Sequence, residues 1–100
     1  MAQFNCYECK KEVRTGEKFT FTKMGAVHFD CFISAKRREI DSSKEEKLRS
    51  YSLILDSELT HLLNLLRIEP KNDDEKIYHN QKYKEIEKSA GETTKKIVEL

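Results

Sequence analysis

Cys6-Tyr7-Glu8-Cys9 is followed, after a spacer of eighteen residues, by His28-Phe29-Asp30-Cys31. Each stretch holds two metal-ligating side chains, and the spacer is long enough to bring the two pairs together. Three thiolates and one imidazole make a complete tetrahedral ligand set for zinc. Because a catalytic zinc normally keeps one coordination position for water, this set predicts a structural ion, one per chain. The predicted ligands are Cys6, Cys9, His28 and Cys31.

Other uses of the cysteines fit the sequence less well. Their number, three, is odd, and the stretch Met1–Asn5 has neither the basic nor the apolar region of a signal peptide. We therefore expect a reducing, cytoplasmic compartment and no disulfide framework. A redox pair of Cys6 and Cys9 alone would leave His28 and Cys31 without a role, and no alternating strand and helix pattern surrounds it.

The spacer between the two ligand pairs predicts a β-hairpin. Phe19 and Phe21 alternate with polar residues, which is the period-two pattern of a strand with one buried face. Residues 23–25 supply a turn, and the chain returns along residues 26–29, which brings His28 towards the first ligand pair. We expect a small aromatic core that needs the metal to stay folded. Its predicted members are Phe4, Val13, Phe19, Phe21, Val27, Phe29 and Phe32.

The residues around the ligands resemble the first zinc module of a LIM domain. The similarity covers about residues 4–34 and rests on Lys11-Glu12-Val13, Gly16-Glu17 and the stretch from His28 to Phe32. A LIM domain has a further cysteine three residues after the last ligand, but this chain has Ser34 there and no later cysteine. The resemblance implies half of a LIM domain. Because LIM modules serve chiefly as protein-interaction platforms, it also implies a binding role.

Two stretches of the sequence indicate a second resemblance. The chain resembles a group of small, functionally uncharacterised archaeal proteins that carry one such finger. The similarity lies in its length of 100 residues, in Phe19-Thr20-Phe21-Thr22 and in the stretch 25–32. This resemblance implies a zinc-bound fold in a microbial cytoplasm. It implies no activity.

The rest of the sequence predicts helices. A short helix from Asp30 to about Ile40 leaves the finger, and a break follows at residues 41–43. The next helix is expected over about 43–67, with Ser42 or Ser43 as its N-cap, and the last over about 73–99, with Asn72 as its N-cap. Gly91 lies inside the last helix and predicts fraying or a break nearby.

These elements predict a small α+β fold of two parts. Residues 1–40 are expected to form a LIM-like zinc module of knuckle, hairpin and short exit helix. Residues 41–100 are expected to form an antiparallel hairpin of two helices.

The first long helix carries an apolar stripe wider than one helix contact needs. We expect either the finger or a second copy of the chain to cover what the partner helix leaves open, and we favour a homodimer. This stripe is the candidate interface for a protein partner. Its residues are Leu48, Tyr51, Leu55, Leu59, Leu62 and Leu66.

A nucleic-acid-binding function is the alternative to protein interaction. Residues 1–38 hold eight Lys and Arg against four Asp and Glu, whereas residues 39–100 hold eleven against fourteen. The finger thus carries a surplus of +4, which is modest for a nucleic-acid module. The candidate phosphate contacts are Lys10, Lys11, Lys36, Arg37 and Arg38.

Several classes of function lack support in the sequence. No Gly-rich phosphate loop, paired carboxylates or nucleophile with a base appears, so we expect no enzyme and no small-molecule substrate. Apolar runs are too short for a membrane span, and 37% of the residues are charged. His61 and His79 lie at helical positions far from the cysteines, which is typical of surface or helix-contact histidines.

Overall fold

The computed structural model describes residues 4–100 and has the predicted α+β class, with two small antiparallel hairpins followed by helices. In chain order the elements are β1 (Phe4–Asn5), β2 (Glu12–Val13), β3 (Phe19–Thr22), β4 (Gly25–His28), α1 (Phe29–Glu39), α2 (Glu45–Leu66) and α3 (Asp73–Val98). A 3₁₀ turn, Ser42–Lys44, joins α1 to α2. The elements β1 to α1 form the finger, and α2 and α3 form the helical arm.

The β3–β4 hairpin forms where the sequence predicts it, but the buried face of β3 is the opposite one. Thr20 is buried, whereas Phe21 is 52% exposed and Phe4 is 43% exposed. The ring centroid of Phe21 lies 5.2 Å from that of Phe4 and 5.5 Å from that of Phe19. The expected aromatic core is therefore partly wrong: Val27 and Phe32 are buried as predicted, but Phe4 and Phe21 are exposed and Phe19 is half-buried beside them.

A polar contact with α3 explains why the threonine face is the buried one. Thr20 Oγ1 lies 2.7 Å from Thr94 Oγ1, and the Thr94 hydroxyl donates a hydrogen bond of 2.8 Å to the Ala90 carbonyl. Each hydroxyl has one proton, so Thr20 donates to Thr94 and both buried groups are satisfied. Period-two alternation predicts a strand but cannot predict that a second threonine far along the chain meets it.

The three helices begin and end close to the predicted residues. Asn72 caps α3 as predicted, because its Oδ1 accepts from the Glu75 N–H at 2.9 Å. The predicted serine cap of α2 is wrong: the Ser43 hydroxyl donates to Asp41, and the N-cap Lys44 makes no side-chain cap bond. The turn Ser42–Lys44 begins the helix instead. Within residues 4–100, no helix is long and apolar enough to cross a membrane.

The two long helices pack antiparallel. At one end of the helical arm the Lys44 ammonium donates to the Leu100 carbonyl at 2.7 Å. At the other end His79 Nε2 donates to the Leu65 carbonyl, also at 2.7 Å, and so satisfies a carbonyl in the last turn of α2. His79 thus lies at a helix contact, whereas His61 is exposed.

A single hydrophobic core joins the finger to the helical arm. The finger packs on the leucine-rich face of α2, although the sequence analysis favoured a second copy of the chain as the covering, and Cys6 lies fully buried in this core. The buried members are Cys6, Val27, Phe32, Ile33, Leu48, Leu55, Leu59, Ala90 and Ile97.

The helix α3 continues through Gly91, so the predicted break near this residue is wrong. Ala90 and Thr94 are buried on either side of it, and their packing holds this turn in place. Gly91 itself is exposed, and a Cβ at this position would meet no atom within 4 Å. Nothing in the fold therefore requires a glycine here.

Replacing Gly91 with alanine should stabilise the protein. Alanine is favoured over glycine by about 1 kcal/mol in a helix interior, and the added methyl group clashes with nothing. Urea unfolding should show a higher midpoint for Gly91→Ala. The control is Gly25→Ala, which should lower the midpoint because Gly25 has a φ of 117°. A Gly91→Ala midpoint below that of the unmodified protein would show that the helix does need a glycine at this position.

Candidate metal centre

The first ligand pair lies in a tight turn between β1 and β2. The Cys6 N–H donates to the Lys11 carbonyl and the Lys10 N–H donates to the Cys6 carbonyl, both at 2.9 Å. Lys10 has a φ of 66°, a left-handed conformation that lets the chain reverse within a few residues. The Tyr7 N–H donates to the Ala26 carbonyl at 3.1 Å and so ties this turn to β4. The sequence did not predict the β1–β2 hairpin that frames the turn.

The second ligand pair lies where β4 becomes α1. His28 is the last residue of β4 and the N-cap of α1, and Cys31 lies in the first helical turn. A helix N-terminus carries a partial positive charge, which favours a thiolate nearby. The pairing of β4 with β3 fixes the position of His28. Because α1 starts directly after His28, the same pairing also fixes the position of Cys31.

The four predicted ligands converge. Their ligand atoms all lie within 4.8 Å of one another, with Cys9 Sγ 3.4 Å and Cys31 Sγ 4.0 Å from His28 Nδ1. Sulfur atoms in a tetrahedral zinc site lie about 3.8 Å apart, given zinc–sulfur bonds of about 2.3 Å. The residues therefore fit a metal ion, and the donor set is one that zinc prefers.

Glu17 lies beside the His28 ring, on the side that faces away from the sulfur atoms. Glu17 Oε1 lies 3.3 Å from His28 Nε2, the ring nitrogen that points away from the sulfurs, and accepts a 2.6 Å bond from the Arg14 N–H. That backbone bond, then the His28 ring, lower the pKa of the Glu17 carboxyl. A carboxylate in this place fixes His28 with Nδ1 as its ligand atom. The sequence showed Glu17 within the LIM resemblance but assigned it no role.

The thiols of Cys6 and Cys31 have pKa values shifted in opposite directions. Burial alone would raise the pKa of Cys6, yet backbone N–H groups of Cys9, His28 and Glu8 lower it to about 6. Burial, with the sulfurs of Cys6 and Cys9 nearby, raises the pKa of Cys31 to about 12. Three negative charges are unfavourable together in this space unless a cation neutralises them.

The pKa of the His28 imidazole is also raised by its neighbours in the cluster. Burial would lower the pKa of His28, but hydrogen bonds with Cys6, Cys9 and Glu17 raise it to about 9. At neutral pH, without a metal ion, His28 therefore carries a proton that offsets the Cys6 thiolate. A divalent cation would take over this role by binding all four groups.

Comparison with known proteins gives the chain a family. Residues 2–99 match the family described as "Uncharacterized protein conserved in archaea (DUF2175)". The chain belongs to this family. The expected resemblance to small archaeal proteins is thereby confirmed, and the Cys3His cluster is that of a DUF2175 protein. No solved structure matches the chain.

Three of the predicted phosphate contacts of this DUF2175 protein are engaged with its own atoms. Lys36 donates to the Val98 carbonyl at 3.0 Å and lies 3.6 Å from Glu39. Lys10 donates to the Tyr7 carbonyl at 2.7 Å. Arg38 lies 3.8 Å from a Glu8 oxygen, and Lys11 and Arg37 are exposed.

The predicted interface residues on α2 divide into three groups. Leu48, Leu55 and Leu59 are buried in the shared core, so the chain itself covers them. Tyr51 and Leu62 are half-buried against this core. Leu66 is 57% exposed. The width of the stripe therefore reflects a helix with neighbours on two sides, the finger and α3.

Removing the Glu17 carboxylate should weaken metal binding. We expect Glu17→Ala to lose tenfold to hundredfold in affinity, because His28 loses the group that orients its ring. Glu17→Gln keeps an acceptor oxygen and should lose less. Competition with a chromophoric zinc chelator measures both, with Glu12→Ala as an exposed glutamate control in the same finger. Equal affinities for Glu17→Ala and Glu12→Ala would contradict a supporting role.

Zinc loading at pH 7 should release at least two protons, one from His28 and one from Cys31. The metal-free pKa values of these groups, about 9 and about 12, lie above the experimental pH. Calorimetric titrations in two buffers of different ionisation enthalpy give the number released. Affinity should also fall as the pH is lowered, since protons compete for the ligands. Binding enthalpies that do not depend on the buffer would contradict this protonation scheme.

Proposed function

We propose that this DUF2175 protein binds one structural zinc ion and acts without enzymatic activity as a small protein-interaction adaptor. The closed Cys3His set supports a structural ion, because all four positions of a tetrahedral zinc are taken by protein ligands. Burial of Cys6 in the shared core supports the same conclusion, since the ion would hold together the finger and, through it, the helical arm.

We further propose that the finger is a half-LIM module. The order of turn, hairpin and helix around the four ligands supports this assignment. Ser34, which stands where a LIM domain has its next cysteine, lies exposed on α1 with the ligands Cys9 and Cys31 around the same hollow. In this proposal the helical arm replaces the second zinc module as the neighbour of the finger.

The observation that carries the adaptor proposal is an apolar surface where the finger meets the helical arm. Phe4, Phe21 and Leu66 are 43%, 52% and 57% exposed; the Phe4 and Phe21 ring centroids lie 5.2 Å apart, and Phe21 and Leu66 line the same groove. Exposed apolar groups that line a shared surface are typical of protein-interaction sites. The partner is another protein, with a second copy of the chain as the competing choice, in a reducing cytoplasm.

Nucleic-acid binding receives less support from the same structure. Lys36 is largely enclosed and bonded within the chain, whereas Lys10, Lys11, Arg37 and Arg38 are exposed. Four exposed cations fall short of the about six to ten phosphate contacts that give strong, salt-dependent binding.

A pull-down from an archaeal extract, with and without nuclease, tests the proposed function. Proteins should be retained after nuclease treatment, and Leu66→Asp should lose them. Leu53→Asp is the matched control, because Leu53 is 60% exposed on the same helix but lies on a different face from Leu66. Loss of all retained material on nuclease treatment would favour nucleic acid. Equal retention by the two variants would contradict the proposed surface.

A further inference from the structure

The outer edge of β3 is an open strand edge. Phe29 N–H donates to the Lys18 carbonyl, so Phe19 and Phe21 occupy the non-hydrogen-bonded pairs of the β3–β4 ladder. Their N–H and C=O groups therefore point away from β4. No hydrogen bond joins these four groups to another residue between positions 4 and 100. An edge of this kind is a template for a further strand.

A groove of about 250 Å³ runs along this edge. Phe19, Thr20 and Phe21 all line it, and because successive strand residues point to opposite faces, the groove must follow the strand edge rather than one face. The opposite wall belongs to the helical arm and is mainly apolar. It contains Leu59, Leu62, Leu63, Leu66, Tyr83 and Gly91.

Gly91 gives the groove part of its space. Glycine is costly within a helix, and here neither a positive φ nor a close neighbour requires it. A side chain at this position would extend into open space that the groove occupies. Residues that lower stability without a structural reason are expected at functional sites.

The charges along the groove leave one carboxylate free. Glu17 is engaged by His28 and the Arg14 N–H, and Lys18 forms an ion pair with Asp56. Glu87, on the α3 side, has no ion pair within the part of the chain that the structure describes. A basic residue in an occupant of the groove would complement it.

We propose that an extended segment of a partner protein adds to β3 as a strand and fills this groove. The segment alternates apolar side chains, which contact the helical arm, with polar ones, and it carries a Lys or Arg against Glu87. Pairing with the free backbone groups of Phe19 and Phe21 takes a segment of three or four residues, and about 250 Å³ of space holds the apolar side chains that this segment directs towards the helical arm. A stable dimer buries about 800 Å² on each partner, far more than this groove offers, which favours a peptide over a second copy. This proposal rests on the proposed protein-interaction function and names its surface.

Selection of peptides tests the proposal directly. A displayed library of random eight-residue peptides, selected on the zinc-loaded full chain, should yield sequences with alternating apolar residues and one basic residue. Binding should slow hydrogen exchange at the Phe19 and Phe21 amides. A selected peptide N-methylated at alternate nitrogens keeps its side chains but loses strand pairing, and should bind at least tenfold more weakly. Equal binding by the methylated peptide would overturn the proposal.

A variant that fills the groove gives an independent test. Gly91→Leu should bind the selected peptide at least tenfold more weakly while keeping zinc and a thermal stability no lower than that of the unmodified chain. Gly91→Ala should bind with an intermediate affinity. Unchanged peptide binding by Gly91→Leu would overturn the proposal. So would protection of the Phe19 and Phe21 amides that increases with protein concentration when no peptide is present, because it would show that a second copy of the chain pairs with β3.

The two proposals can fail separately. If pull-downs retain proteins equally well with Gly91→Leu and with the unmodified chain, the strand-addition site is wrong but the adaptor function stands. If no protein is retained by either form, the adaptor function itself is contradicted.

Discussion

Three thiols and one imidazole crowded within 4.8 Å of one another are the constraint on which the rest of this structure depends. Without a cation the cluster resists full deprotonation, as the raised pKa values of His28 and Cys31 indicate, because the fully deprotonated thiolates would repel one another. A divalent ion bound to all four groups would neutralise this repulsion. A finger of this size has few other means of staying folded.

The finger in turn determines how the helical arm is covered. Its hydrophobic residues Val27, Phe32 and Ile33 join Leu48 and Leu55 of α2 in one core, and Thr20 bonds to Thr94 of α3. Further bonds, from Lys36 and Lys44 to carbonyls at the end of the chain, fix the last turn of α3 near the finger. Loss of the metal would therefore expose leucines that the arm cannot cover alone.

Local sequence rules predicted most of the fold and all four residues of the candidate metal centre. Three of the correctly predicted features depend on residues close in the chain and can therefore be predicted without a structure. They are the ligand spacing, the turn at Gly25 and the Asn72 cap. The errors concern contacts between distant residues. Thr20 is buried because of Thr94, α3 is continuous at Gly91 because of its packing, and Leu48, Leu55 and Leu59 are covered by the finger and α3 together. Glu17 was missed for a similar reason, since its role depends on where the turn places it beside His28.

The central claim is that one metal ion holds the finger and, through the shared core, stabilises the helical arm. Native mass spectrometry of protein purified without oxygen, followed by hydrogen exchange before and after chelation, tests it most directly. We predict one zinc ion per chain, and loss of amide protection on chelation both in β3 and β4 and along the finger-facing side of α2. Protein that carries no metal, or exchange that does not change on chelation, would contradict it.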